Sequence, residues 1–167
     1  MARQPRHFSL TILVCIIGIC CPPAPSAAQA RRGAGSSRVV ADVVKLTNVE
    51  RTHYRRPALR ANARLMRAAQ LQANQMAQAS HMAHVLPDAR YPRMEDRIAA
   101  ANYRWQTLGE NVAFGQANAA KVVDSWMHSS GHRTNILNST FTEMGAGFAV
   151  DRSGRPYYVQ VFGRPLS

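Results

Sequence analysis

The sequence predicts an α+β fold in which helices pack on a small sheet. Between residues 38 and 128, apolar residues recur at three- and four-residue spacing, which is typical of amphipathic helices. From Phe141 onward the apolar runs become strand-like, at residues 141–150 and 157–162. A segment rich in turn-forming residues, 151–156, joins these two runs as a hairpin connection.

The first thirty residues have the pattern of a secretory signal peptide. Arg3 and Arg6 form a basic start, and the apolar run at 8–21 is too short for a membrane span of roughly 20 residues. Residues 28–30 (Ala-Gln-Ala) match a cleavage site, which favours export over an uncleaved anchor. We therefore expect a secreted protein, periplasmic or extracellular, with no transmembrane segment after cleavage.

The division of the chain follows from that assignment. After the signal peptide at 1–30, two glycines and two serines in residues 31–37 predict a flexible linker. Residues 38–167 are enough for one domain. All three cysteines lie within the predicted signal peptide, so stability must come from packing rather than from disulfide bonds. We expect the domain to be a monomer.

The composition is strongly basic. The chain has 21 Lys and Arg against nine Asp and Glu, a formal net charge of +12 at pH 7. An exported basic protein meets anionic envelope polymers and lipid headgroups first, so no nucleic-acid partner is expected. Solubility and export explain the same arginines equally well.

Four helices are predicted within the domain, at about 38–53, 61–83, 94–101 and 119–128. Asn102 tolerates the left-handed conformation that often ends a helix, and Asn118 is a good N-cap for the fourth helix. Val122, Val123 and Trp126 form the apolar stripe of that helix and are expected in the core.

The segment WMHSSGHRTNIL at 126–137 is the most informative part of the chain. It places His132 directly after a glycine, in a predicted irregular turn beyond a helix, where the ring would be exposed. Glu110 stands in a Gly-Glu-Asn triplet upstream, and His84 lies further upstream. We predict that His84, Glu110 and His132 converge on one cleft that solvent can reach.

Several blocks across the domain resemble a bacterial CAP domain, of the superfamily of cysteine-rich secretory, antigen 5 and pathogenesis-related proteins. They occur in order and at compatible spacing, so together they are far more specific than one short motif. The blocks are MAH at 82–84, NYRW at 102–105, GENVA at 109–113, VVDSWM at 122–127, GHRTNIL at 131–137, MGAG at 144–147 and YYVQVF at 157–162.

The resemblance implies a three-layer α-β-α sandwich with a small central antiparallel sheet and a large cleft. In many members that cleft holds two histidines and two acidic residues, and a divalent cation has been seen there. His84, Glu110 and His132 match three of these four positions. The second acid has no counterpart, because Ser129 or His128 occupies its region. The resemblance therefore implies a divalent cation, zinc or magnesium, that is weakly bound.

Other interpretations of these residues remain open. His81 lies three residues before His84 and would share its face on a helix, so it is an accessory candidate for the site. His128 and Ser129 are accessory candidates because they occupy the region of the missing acid. Glu110 would also serve as a structural cap for backbone N–H groups. Two imidazoles and a carboxylate suit either an open zinc site or a general base.

Three functions are compatible with the sequence. No nucleophile is evident, so we favour a binding module for a lipid, a sterol or an envelope glycan over an enzyme. The alternative enzyme is a metal-assisted, peptidase-like hydrolase of the cell envelope. The third possibility is a basic protein that binds an anionic envelope polymer through its arginines, without chemistry in the cleft.

We predict cleavage after Ala30, because the basic start, the short apolar run and the Ala-Gln-Ala triplet coincide there. Amino-terminal sequencing of the exported protein should begin near Arg31. A mature protein that still begins at Met1 would contradict the prediction.

Overall fold

The structure is a computed structural model that describes residues 26–166. Most of the predicted signal peptide therefore lies outside the described residues. Within them, helices and strands follow in the order α1 (Ala27–His53), β1 (Arg60–Ala61), α2 (Ala63–Ala79), α3 (Met94–Ala100), β2 (Trp105–Phe114), α4 (Ala119–Met127), α5 (Ser130–Leu137), β3 (Glu143–Val150) and β4 (Pro156–Pro165). None of the helices in this part of the chain is long and apolar enough to cross a membrane.

Helix α1 is longer than the sequence predicts. It begins at Ala27 instead of near Arg38, so residues 31–37, predicted as a flexible linker, are helical. Alanine and arginine have high helix propensity, which offsets the cost of the two glycines. The hydroxyl of Ser37 also donates to the carbonyl of Gly33, 3.0 Å away and one turn earlier.

The sheet has the strand order β1-β3-β4-β2. Strand β4 pairs antiparallel with both β2 and β3, whereas the short β1 pairs parallel with β3. The sheet is therefore mixed and not wholly antiparallel, which corrects the expectation. Strand β2 lies at an edge of the sheet, and residues on both of its faces can be reached from the layers on either side.

Helices cover both faces of this sheet and form the predicted α-β-α sandwich. Along β4, alternate side chains enter opposite cores because successive residues of a strand point to opposite faces. Tyr157, Val159 and Val161 pack with α2 and α3, while Tyr158 and Phe162 pack with α1 and α4. The sheet thus separates two apolar cores.

Helix α2 lies directly on β3, and two glycines make this approach possible. A Cβ atom on Gly145 would lie 2.1 Å from the backbone carbon of Leu65, and one on Gly147 would lie 2.3 Å from the carbonyl oxygen of Ala69. Any side chain at these positions would push the helix off the strand.

Local predictions in the second half of the domain are confirmed. The Asn118 side chain accepts a hydrogen bond from the backbone N–H of Lys121 and caps α4. Asn102 has a φ of 56°, in the left-handed region. Trp126 is 1% exposed, and its indole N–H donates to the carbonyl of Val112 over 3.3 Å. The α4 stripe is therefore a core element.

We expect Trp126→Ala to lower the free energy of unfolding by about 3–5 kcal/mol, because it removes the largest side chain of this core. Urea denaturation followed by circular dichroism measures the change. The matched control is Trp105→Ala, since Trp105 is 42% exposed and should contribute much less. Equal effects of the two substitutions would mean that the α4 face is misassigned.

Candidate functional site

Glu110 lies on the edge strand β2, and its side chain is only 4% exposed. Both carboxylate oxygens have partners. The ring of His84 donates from Nδ1 to Oε1 over 3.0 Å, and Arg97 donates from Nη2 to Oε2 over 2.8 Å. A buried carboxylate needs such partners, because water no longer solvates its charge. The site is therefore built around one compensated acid.

His84 comes from the segment between α2 and α3, which hydrogen bonds hold in place. Helix α2 ends at Ala79, and the left-handed φ of 50° at Ser80 then turns the chain away from the helix axis. The side chain of Gln72 then donates to the carbonyl of Ala83 over 2.5 Å. The His84 side chain itself is 57% exposed, and its Nε2 has no hydrogen-bond partner among the described residues. This nitrogen is available to a ligand.

Arg97, on α3, is the site residue that sequence reasoning missed. Its side chain is 1% exposed, and its guanidinium donates to the carbonyls of Tyr91, Pro92 and His84 as well as to Glu110. Its Nε atom is buried without a hydrogen-bond partner in the described structure. The only signal in the sequence was its position beside Ile98, on the buried stripe of a predicted helix.

His132 approaches β2, the strand that carries Glu110, from the layer of the sandwich opposite to α2 and α3. It lies on the short helix α5 and not in the irregular turn predicted for it. The reason is that Ser129 adopts an extended conformation and starts a helix, in which Thr134 donates to the carbonyl of Ser130. The side chain of Asn111 on β2 donates to the carbonyl of His132 over 3.1 Å.

A second side chain also holds α5 against β2. Asn135 donates to the carbonyl of Glu110 over 3.2 Å and to the side-chain oxygen of Asn111 over 2.9 Å. The His132 ring, which is partly buried, makes no hydrogen bond with the described residues. The structure thus joins His84 to Glu110 directly, whereas His132 lies on a helix that is hydrogen-bonded to the same strand.

The two histidines have pKa values shifted in opposite directions. The hydrogen bond from His84 to Glu110 raises the pKa of His84, against the opposing effect of partial burial. Burial lowers the pKa of His132, and the positive charge of His84 lowers it further. The site therefore favours protonation of His84 over protonation of His132.

The accessory candidates do not join this group. His81 is exposed, and no hydrogen bond joins its side chain to His84 among the described residues. His128 is bonded to its own helix, with Nδ1 2.8 Å from the carbonyl oxygen of Asp124. Ser129 serves as the first residue before α5, without a side-chain cap bond.

The arrangement does not fit the divalent cation that the resemblance implied. Among the described residues, no group of three or more His, Cys, Asp or Glu side chains is placed to hold a metal ion. The one acid at the site already pairs with a guanidinium at Oε2 and an imidazole at Oε1. A cation on Glu110 would face the positive charge of Arg97. These contacts argue against the weakly bound divalent cation that the resemblance implied.

A surface recess opens beside the His84–Glu110 pair. Its volume is about 480 Å³, within the range of small-molecule sites. Apolar side chains and charged groups share the lining, which consists of His84, Val85, Arg93, Met94, Glu95 and Glu110. His132 is not part of it. The recess can therefore receive a ligand that has both a polar and an apolar part.

The fold has counterparts in known proteins. The family model described as "CAP: Cysteine-rich secretory protein family" matches residues 44–162. The chain belongs to the CAP family. Among curated relatives, the uncharacterized protein YkwD of Bacillus subtilis (strain 168) is 34% identical over 122 residues, covering 73% of this chain and 46% of the relative. This CAP chain thus spans about half the length of that relative.

Solved structures agree on the fold. An extracellular protein containing a SCP domain from Bacillus anthracis str. Ames matches with a TM-score of 0.72 and 23% identity, over 86% of this chain and 45% of that one. An outer surface protein from Borrelia burgdorferi matches with a TM-score of 0.67 and 18% identity, over 74% and 90%. At these identities the likeness of the CAP chain to both is one of fold.

We expect the pKa of His84 to lie above the ordinary histidine value of about 6.5 and the pKa of His132 to lie below it. The His84 contribution to stability is present at low pH and is lost as pH rises through its folded-state pKa. For His132, protonation costs stability as pH falls below about 6.5. Imidazole proton NMR of the folded protein measures both values.

Glu110→Gln is the decisive variant for this titration. It removes the charge that raises the pKa of His84, so burial should bring that pKa below its ordinary value. His132 is the internal control, because burial is the larger cause of its shift. A His84 pKa that does not move in Glu110→Gln would show that the pair does not form in solution.

Proposed function

We propose that this CAP domain is an exported binding module, and that the recess beside His84 and Glu110 takes an amphipathic envelope ligand, a lipid. The observation that carries the proposal is a half-exposed imidazole, fixed at Nδ1 by a buried acid, at the edge of a recess that two apolar side chains, Val85 and Met94, also line. A fixed ring with its second nitrogen available presents one polar group in a defined direction.

The lining of the recess favours a lipid over a glycan. Val85 and Met94 supply aliphatic surface, and Val85 is 50% exposed. No Phe, Tyr or Trp is among the described residues that line the recess, whereas a flat sugar face would pack best on such a ring. His84 and Arg93 supply cationic or donor groups for a headgroup. The polar and apolar parts of the lining therefore match a headgroup and the start of an acyl chain.

A role outside the cytoplasm is supported by several observations of different kinds. The amino-terminal segment has the composition of a signal peptide. The fold is also found in an extracellular protein of Bacillus anthracis and in an outer surface protein of Borrelia burgdorferi. In such a location, lipids and envelope polymers are the ligands that the domain meets first.

The test is binding of a fluorescent phosphatidylglycerol, measured for wild type, His84→Ala and His81→Ala at equal ionic strength. We expect His84→Ala to weaken binding by about tenfold, the value of one charge-assisted hydrogen bond. His81→Ala is the matched control, an exposed histidine three residues away with no contact to the acid. It should stay within about twofold of wild type.

Other outcomes would select another function. Binding that is equally strong in His84→Ala and falls steeply with salt would indicate attraction by the surface arginines instead of the recess. Absence of lipid binding, together with hydrolysis of an envelope peptide that His84→Ala abolishes, would favour the hydrolase.

A further inference from the structure

The guanidinium of Arg97 has an unusual place in this site. Its side chain is 1% exposed and lies under the segment that carries His84. Arginine remains protonated at any physiological pH, so a full positive charge is buried here. Among the described residues, Glu110 is the only acidic side chain that forms an ion pair with it, with the two groups 2.8 Å apart. Arg97 and Glu110 therefore form an ion pair that is buried inside the protein.

The same guanidinium also links separate segments of backbone. It donates to the carbonyl of His84 over 3.4 Å, and to those of Tyr91 and Pro92 over 3.3 and 3.1 Å. Thus one planar cation connects the segment before α3, the backbone of His84 and the acid on β2. Its fork-shaped set of N–H donors allows several such bonds at once, which a lysine cannot reproduce.

A bound divalent cation would perform these two tasks in a cleft of this kind: it would neutralise the acid and crosslink the segments that supply its ligands. In this chain, the side chain of Arg97 already neutralises Glu110 and links these segments. We propose that Arg97 replaces a metal ion as the resident cation of the site. It is a positioning residue, which acts on a ligand only through His84 and Glu110.

This proposal does not depend on which ligand the recess takes. It follows from the contacts of Arg97 and Glu110 alone. The guanidinium and the carboxylate form a buried ion pair, so neither charge needs a metal ion to compensate it.

The test is calorimetric titration of the full-length exported protein with Zn²⁺. Wild type should show no zinc binding that Glu110→Gln removes, even if surface histidines bind some zinc. Arg97→Gln removes the resident charge and frees an oxygen of Glu110, so it should gain zinc affinity of at least about tenfold. The gain should disappear in the double variant Arg97→Gln/Glu110→Gln.

Arg97→Lys is the matched control, because it keeps the positive charge and should gain no zinc affinity. A merely structural role for Arg97 predicts no such difference between the glutamine and lysine variants. Wild-type zinc binding that falls by tenfold or more in Glu110→Gln overturns the proposal. So does a folded Arg97→Gln that binds zinc no better than wild type. If Arg97→Gln fails to fold, the comparison of wild type with Glu110→Gln decides alone.

Discussion

The burial of one carboxylate constrains much of this molecule. Glu110 is 8% exposed on the edge strand, and a charge there must be compensated within the protein. Arg97 meets that need from α3, and His84 meets it from the segment before α3. The placement of α3 and of the whole 80–93 segment is therefore tied to the acid. The contacts of Glu110 with Arg97 and His84 therefore both hold this part of the fold in place and build the site.

The topology explains why a cleft forms at this acid. Strand β2 lies at an edge of the sheet, so side chains of both layers can approach it. Glu110 contacts residues of the α2 and α3 layer, and its neighbour Asn111 contacts α5 of the opposite layer. Two adjacent residues of one strand, whose side chains point to opposite faces, thus bind the segments that carry His84 and His132.

The sequence allowed the helices, the terminal hairpin and the α4 stripe to be predicted, because their apolar periodicity is strong. Strand β2 has no such signal, since polar and apolar residues do not alternate regularly along it and only residues 110–113 are buried. Helix α5 was interpreted as a turn because Ser-Ser-Gly favours turns, whereas here Ser129 starts a helix. These elements are fixed by tertiary contacts such as Asn135 to Glu110.

The site residues also differ in how well the sequence predicts them. His84 and Glu110 were accessible from short motifs, but Arg97 was not, because composition counts every arginine as surface charge. Among the described residues, Arg51 is fully buried on backbone carbonyls, Arg97 is fully buried on backbone carbonyls and Glu110, and Arg60 pairs with Glu143. The net charge of +12 therefore overstates the cation density offered to an anionic polymer. The fixed imidazole of His84 identifies a ligand site more specifically than the overall charge does.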